Sequence, residues 1–274
     1  MALCCSALSV RREGYYAWQR RPKRAQRDEA LVSALKQARE KHTGYGVQSL
    51  LDQLPEAQKV SYGKGYRVCR ENGLLLRRRK PHGITRADPA AQSADDLVRR
   101  DFTACEPNTK WLTDITQIAC KDGKLYLCGV LDCFDAGLVG FSMDTHMKTE
   151  LCTAALTSAV KRFGKTQGLI VHSDRGSQFT SHLYRETLAH QGFRQSMGRT
   201  GSCFDNARME SFFATLKKEL IYRMPLYKMT REEVRSRIFQ WLAYYNQRRR
   251  HTSNDAKRPP LVKRELWNRQ SAAA

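Results

Sequence analysis

Residues 110–145 set the rhythm that the rest of the chain must follow. KWLTDITQIAC (110–120), KLYLCGVLDCF (124–134) and LVGFSMDT (138–145) are strand-like runs, broken by Asp122-Gly123 and by Asp135-Ala136-Gly137. Apolar runs joined by such short turns specify an antiparallel meander, which needs a covering layer to bury its apolar face. The next segments supply one. TELCTAALTSAVKRFG (149–164) has helical spacing, with Leu151, Ala155, Ser158 and Ala159 inward and Gly164 as its stop. GLIVHSD (168–174) is short, apolar and polar-ended, the form of a buried parallel strand. A helix over 180–191, a strand over 193–196 and helices over 205–221 and 230–246 continue the alternation, so the expected class is α/β.

Ahead of this domain the pattern is purely helical. RDEALVSALKQAREKH (27–42) places Leu31, Leu35 and Ala38 on one face, GVQSLLDQL (46–54) begins a second helix, and Ser61 can cap a third that stops near Asn72-Gly73. Short helices followed by Arg77, Arg78, Arg79 and Lys80 have the form of a helix-turn-helix module with a phosphate-contacting flank. Gly63 and Gly65 each cost the third helix about 1 kcal/mol relative to Ala. The expected division is a helical DNA-binding region over 1–80, a linker over 81–106, a catalytic domain over 107–250 and a basic tail over 251–274.

Charge narrows the partner. Forty-eight Lys and Arg oppose 27 Asp and Glu, and a formal charge of +21 is the footprint of a polyanion binder, with nucleic acid foremost. Nine cysteines without a CxxC pair, and seven histidines without zinc spacing, exclude a disulfide framework and a structural zinc domain. They place the chain in a reducing cytosol. The stretch MALCCSALSV lacks a basic flank ahead of it and no run of 18 apolar residues exists, so neither a signal peptide nor a membrane span is expected.

Three carboxylates carry the chemistry. Asp114 lies inside the first strand, flanked by Leu112, Ile115 and Ile118, where a charge is costly without a partner. Asp174 sits where the buried strand ends, the place where open α/β sheets gather ligands. Glu210, in FDNARMESFFATLKKEL (204–220), lies beside the apolar stripe of Met209, Phe213, Leu216 and Leu220. Each has a plainer reading: a solvent-facing edge residue, a turn cap, and a surface Glu in a helix capped by Asp205. Gathered together, they would repel one another unless a cation neutralised them, and hard oxygen ligands suit Mg²⁺ or Mn²⁺.

WLTDIT (111–116), HSDRGSQF (172–179) and DNARMESFFATLK (205–217) resemble the DDE transposases of the insertion-sequence-three family, relatives of retroviral integrases. Thirty-five residues separate Asp174 from Glu210, the spacing of that family. GYYAWQRRP (14–22), HTGYGVQSL (42–50), RVCRENGL (67–74) and YYNQRRRH (244–251) extend the resemblance over nearly the whole chain.

The resemblance implies an RNase H-like, integrase-type core with a mixed five-stranded sheet and flanking helices, preceded by the small helical domain. It also implies Asp114, Asp174 and Glu210 as ligands of two Mg²⁺ or Mn²⁺ ions. Lys217 and Asn206 would touch DNA, as would Arg249, Arg250 and the Arg77–Lys80 run; the plainer readings are a solvated helical Lys at 217 and a helix cap at Asn206. His172 and Gln178 flank Asp174 and either orient it or touch substrate; the other reading of His172 is a buried strand residue satisfied by the backbone. The implied partners are terminal inverted repeats and target DNA, further copies of the chain, and an upstream-frame product, all in a bacterial cytoplasm at the nucleoid. Two rivals stand beside this reading: a DNA-binding repressor or inactive remnant, and an RNase H-type nuclease.

Overall fold

The computed structural model describes residues 24–76, 94–164, 166–198 and 203–273, with residues 11, 13, 14, 16 and 17. The chain divides into two units, Met1–Arg79 and Lys80–Ala274.

In the first unit, α1 (Arg24–Lys41), α2 (Val47–Leu51) and α3 (Tyr62–Glu71) close around Leu31, Leu35, Leu50, Leu51, Leu54 and Val68. Ser61 stands at the N-cap position of α3 without a side-chain cap bond, and Gly73 follows at φ 66°. The two glycines of α3 differ. Gly63 faces open space, whereas a Cβ on Gly65 would lie 2.7 Å from the Leu51 methyl carbons. Gly65 is therefore where α3 and α2 make their close approach, a packing role that offsets its poor helix propensity. Two of the three cations of α3 are used within the unit: Lys64 and Arg67 both pair with Asp28 of α1, at 3.2 and 2.6 Å. Arg77, Arg78, Arg79 and Lys80 lie outside the described residues.

In the second unit the expected meander is present as β1 (Lys110–Cys120), β2 (Gly123–Asp132) and β3 (Leu138–Asp144), joined by antiparallel ladders. Two parallel strands, β4 (Ile170–Ser173) and β5 (Arg194–Met197), complete a mixed five-stranded sheet of order β3-β2-β1-β4-β5. On one face α4 (Thr149–Phe163), α5 (Ser177–Thr180) and α6 (His182–Gln191) bury Leu151, Ala155, Phe179, Tyr184 and Leu188 against Trp111, Val130 and Val171. Gly140 makes the α4 contact possible, since a Cβ there would lie 2.5 Å from the Ala155 carbonyl. On the other face α7 (Ala207–Glu219) and α8 (Arg231–Gln247) bury Met209, Phe213, Leu216, Ile238 and Trp241 against Leu112, Leu127 and Leu131. Thr230 and Glu233 form a capping box that starts α8.

Two segments lie closer to the core than their composition suggests. Residues 94–106, in the stretch expected as linker, are docked on it: Leu97 N–H donates to Ser196 Oγ at 2.9 Å, Arg100 pairs with Asp205 at 2.7 Å, and Val98 is buried. In the stretch expected as a basic tail, α9 (Pro260–Ser271) turns Arg264 inward onto Asp132 and Asp135. Among the described residues, no helix is long and apolar enough to cross a membrane.

Candidate active site

Strand register brings the first two carboxylates side by side. The parallel ladder pairs Lys110 with Ile170, Trp111 with Val171 and Leu112 with His172. Asp114 and Asp174 each lie two residues beyond that last pair, and the two-residue strand period returns both to the face of Leu112. Leu112 packs in the cluster that contains Met209 and Phe213 of α7, so both aspartates are on the side of the helix that carries Glu210.

Asp114 bears the electrostatic consequence. Burial and the neighbouring Asp174 push its carboxyl from the ordinary 3.8 up to about 8; Glu210 adds to the rise, while the Ile115 N–H and Lys217 oppose it. Among the described residues the Asp114 side chain receives one hydrogen bond, from Ile115 N–H at 2.7 Å. Asp174 accepts from Gly176 N–H at 3.0 Å, a turn that faces its carboxylate past the strand end.

Glu210 stands one turn into α7, exposed, with enough protein around it for desolvation to raise its carboxyl. Two turns further along, Lys217 is half-buried, and burial lowers its ammonium against the pull of Asp114. Asp174, Glu210 and Lys217 thus all act on Asp114. Even so, among the described residues no three His, Cys, Asp or Glu side chains are gathered closely enough to hold a metal ion.

Most of the other residues singled out in the sequence are engaged within the fold. Residues 203–206 form a 3-10 turn ahead of α7, so Asn206 takes the N-cap position and Asp205 pairs with Arg100 instead of capping. Asn206 makes no cap bond and points inward, its Nδ2 donating to the Thr113 carbonyl at 3.1 Å. His172 bonds Ser196 and the Asp205 carbonyl, and Gln178 donates to the Met147 carbonyl, so the bonds of both run elsewhere than Asp174. Arg249, expected on DNA, lies 2.9 Å from buried Glu219 and over the Tyr245 ring; its guanidinium serves the fold. Arg250 is exposed. Sequence reading gave no role to Arg100, Thr113 or Ser196, because each acts through a bond to a partner far along the chain.

The integrase core domain pattern matches residues 104–203, and a second pattern of that description matches 191–259. The 31 kDa protein of insertion element IS600 from Shigella sonnei is 35% identical over 98% of this chain and 100% of its own length. The transposase InsF of insertion sequence IS3A from Escherichia coli K12 is 33% identical over 90% of this chain and 88% of its own. The chain belongs to the IS3 family of insertion-sequence transposases. Membership makes it a polynucleotidyl transferase acting on DNA. The two matched segments run from just before β1 to past α8 and contain Asp114, Asp174 and Glu210 of the transposase. Among solved structures, the catalytic core domain of BIV integrase aligns with 60% of the transposase and 99% of its own chain, at 14% identity and a TM-score of 0.46.

Proposed function

We propose that the transposase cuts and joins DNA at terminal inverted repeats with Asp114, Asp174 and Glu210 as ligands of two Mg²⁺ or Mn²⁺ ions. The observation that carries this reading is Asp114: half-buried in a core strand, level with Asp174, and raised to about 8 by desolvation and like charge. A cation relieves what the fold leaves uncompensated, and an all-carboxylate donor set suits a hard ion. When bound, such ions supply Lewis-acid activation of a water or 3′-hydroxyl and stabilise the leaving oxygen.

The chain's own residues do the rest. Asp114 and Asp174 hold the fixed half of the site on neighbouring strands, and Glu210 completes it from α7. Lys217, half-buried beside them, meets the phosphate of the scissile strand. The Arg77–Lys80 run and Arg250 add phosphate contacts, with affinity that falls steeply with salt. Further copies of the chain and an upstream-frame product complete the assembly on DNA, in the bacterial cytoplasm at the nucleoid.

The test is joining of a labelled DNA end to a plasmid in Mg²⁺ or Mn²⁺, with and without the upstream-frame product, comparing the wild-type chain with Asp114→Asn. The expected result is joining that disappears in the variant while DNA binding stays equal. Joining that survives in Asp114→Asn refutes the assignment; no joining by either protein, with equal DNA binding, leaves the binding-only reading.

A further inference from the structure

Two consecutive residues at the start of α7 bond to the two strands that carry the aspartates. The Asp205 carbonyl accepts from His172 Nε2 at 2.9 Å, and Asn206 Nδ2 donates to the Thr113 carbonyl at 3.1 Å. His172 lies on β4 two residues before Asp174; Thr113 lies on β1 directly before Asp114. Glu210 follows Asn206 by four residues, about 6 Å along the helix axis. One short bracket of hydrogen bonds therefore links the supports of all three carboxylates.

The polarity of both bonds is fixed. A carbonyl oxygen only accepts, so His172 carries a proton on Nε2 and Asn206 presents its NH₂ group to Thr113. With His172 neutral, its Nδ1 accepts from the Ser196 hydroxyl at 2.8 Å, and Ser196 Oγ in turn accepts Leu97 N–H at 2.9 Å. The connection runs from the docked 94–106 segment through β5 and β4 to the first turn of α7.

Helix capping does not explain Asn206, which makes no side-chain cap bond. The residue is 8% exposed, and its Oδ1 finds no partner among the described residues. An orphaned buried acceptor is destabilising, and an apolar residue of the same shape avoids that cost at this atom. The side chain holds α7 at a stability cost.

We infer that His172 and Asn206 are positioning residues, which fix the point from which Glu210 reaches Asp114 and Asp174. This rests on the metal-binding reading above. Groups that orient metal ligands change metal affinity about 10- to 100-fold when removed, without touching the ion themselves.

The experiment is Mn²⁺ binding to the full chain by titration calorimetry, together with thermal denaturation. Asn206→Leu keeps the shape and removes the Thr113 half of the bracket together with the orphaned acceptor. It is expected to bind Mn²⁺ about tenfold more weakly with its melting temperature near wild type, because the loss of the orphaned Oδ1 offsets the loss of the donor to the Thr113 carbonyl. Asn246→Ala is the control. It loses side-chain bonds to both Leu138 N–H and Leu138 C=O, so it melts lower but keeps wild-type affinity. Should Asn206→Leu not fold, His172→Gln tests the other anchor, with the same weakening expected. Wild-type affinity in the folded anchor variant, or equal weakening in Asn246→Ala, overturns the inference alone. A wild-type chain that takes up no more Mn²⁺ than Asp114→Asn overturns the metal-binding reading and the inference with it.

Discussion

Two groups of acids sit inside the same α/β unit and are treated in opposite ways. Asp132 and Asp135 are almost wholly buried, and Arg264 reaches both, at 2.6 and 2.7 Å. Asp132 also accepts from the Asn108 and Phe134 N–H groups and from Trp111 Nε1, and Asp135 from Gly137 N–H. Burial still raises Asp135, but the guanidinium works against it. Asp114 lies in the same sheet with one N–H donor and two other acids acting on it. On the proposed function the difference separates structural from chemical acids: carboxylates that hold the fold together are saturated with donors, and Asp114, kept for a metal, is left short of them.

The largest effect that can break this contrast comes from the saturated group. Arg264→Ala leaves two buried carboxylates without their cation and is expected to cost about 3–5 kcal/mol in urea denaturation. A loss under about 1 kcal/mol there would place Asp132 and Asp135 with the site acids.

Asp114→Asn is expected to move stability the other way. A carboxyl raised from 3.8 to about 8 contributes stability that is whole below pH 3.8 and is lost as pH rises through 8, because the folded state holds the proton longer. Wild-type stability should therefore fall between those values, by up to about 1.4 kcal/mol per pH unit from this group. The slope should be absent in Asp114→Asn and flattened by Mg²⁺. Identical pH profiles for the two proteins would remove the electrostatic basis of the site.

His251 sharpens the contrast from the acid side. Buried against Tyr245, it is lowered by desolvation to about 3, so it contributes stability that is present above 6.5 and lost as pH falls toward 3. His251→Gln should be less stable than wild type at pH 7, with the gap narrowing as pH falls; a gap that stays constant from pH 7 to 4 would show that the imidazole is not held neutral.

The smallest effects set an uncharged scale in the other unit. Gly63→Ala, in open space, should stabilise the helical unit by up to about 1 kcal/mol, while Gly65→Ala, against Leu51, should cost about 1–3 kcal/mol. Equal effects at the two positions would mean that α3 does not pack on α2 through Gly65.

Much of this was legible in the sequence, because strands and helices are read from periodicity and stops. The meander, the buried parallel strand and the helices over 149–163 and 231–247 follow from apolar spacing and from Gly and Asp at the turns. The juxtaposition of Asp114 and Asp174 does not, since a parallel ladder between residues sixty apart leaves no local trace. Asp205 resembled a cap because cap preference is local, whereas its partner Arg100 lies 105 residues away. Charge counting failed in the same manner at Arg249 and Arg264. Both add to the basic total, yet each is turned inward onto a buried acid, Glu219 in one case and Asp132 with Asp135 in the other. Residues 94–106 resembled a linker because the few apolar residues that dock them, Val98, Phe102 and Ala104, follow no helical or strand period, and their polar bonds reach partners far along the chain.

The placement of Arg264 bears on synthesis as well as on stability. Asp135 is made 129 residues before the arginine that neutralises it, and Asp132 is made 132 residues before. At ribosomal rates of about 5–20 residues per second the two acids wait roughly ten seconds for their cation. Until α9 has left the ribosome, the sheet that carries Asp114 closes over two acids without their cation, at the same cost of about 3–5 kcal/mol, so a nascent chain halted short of residue 264 brings a weakened catalytic unit to DNA.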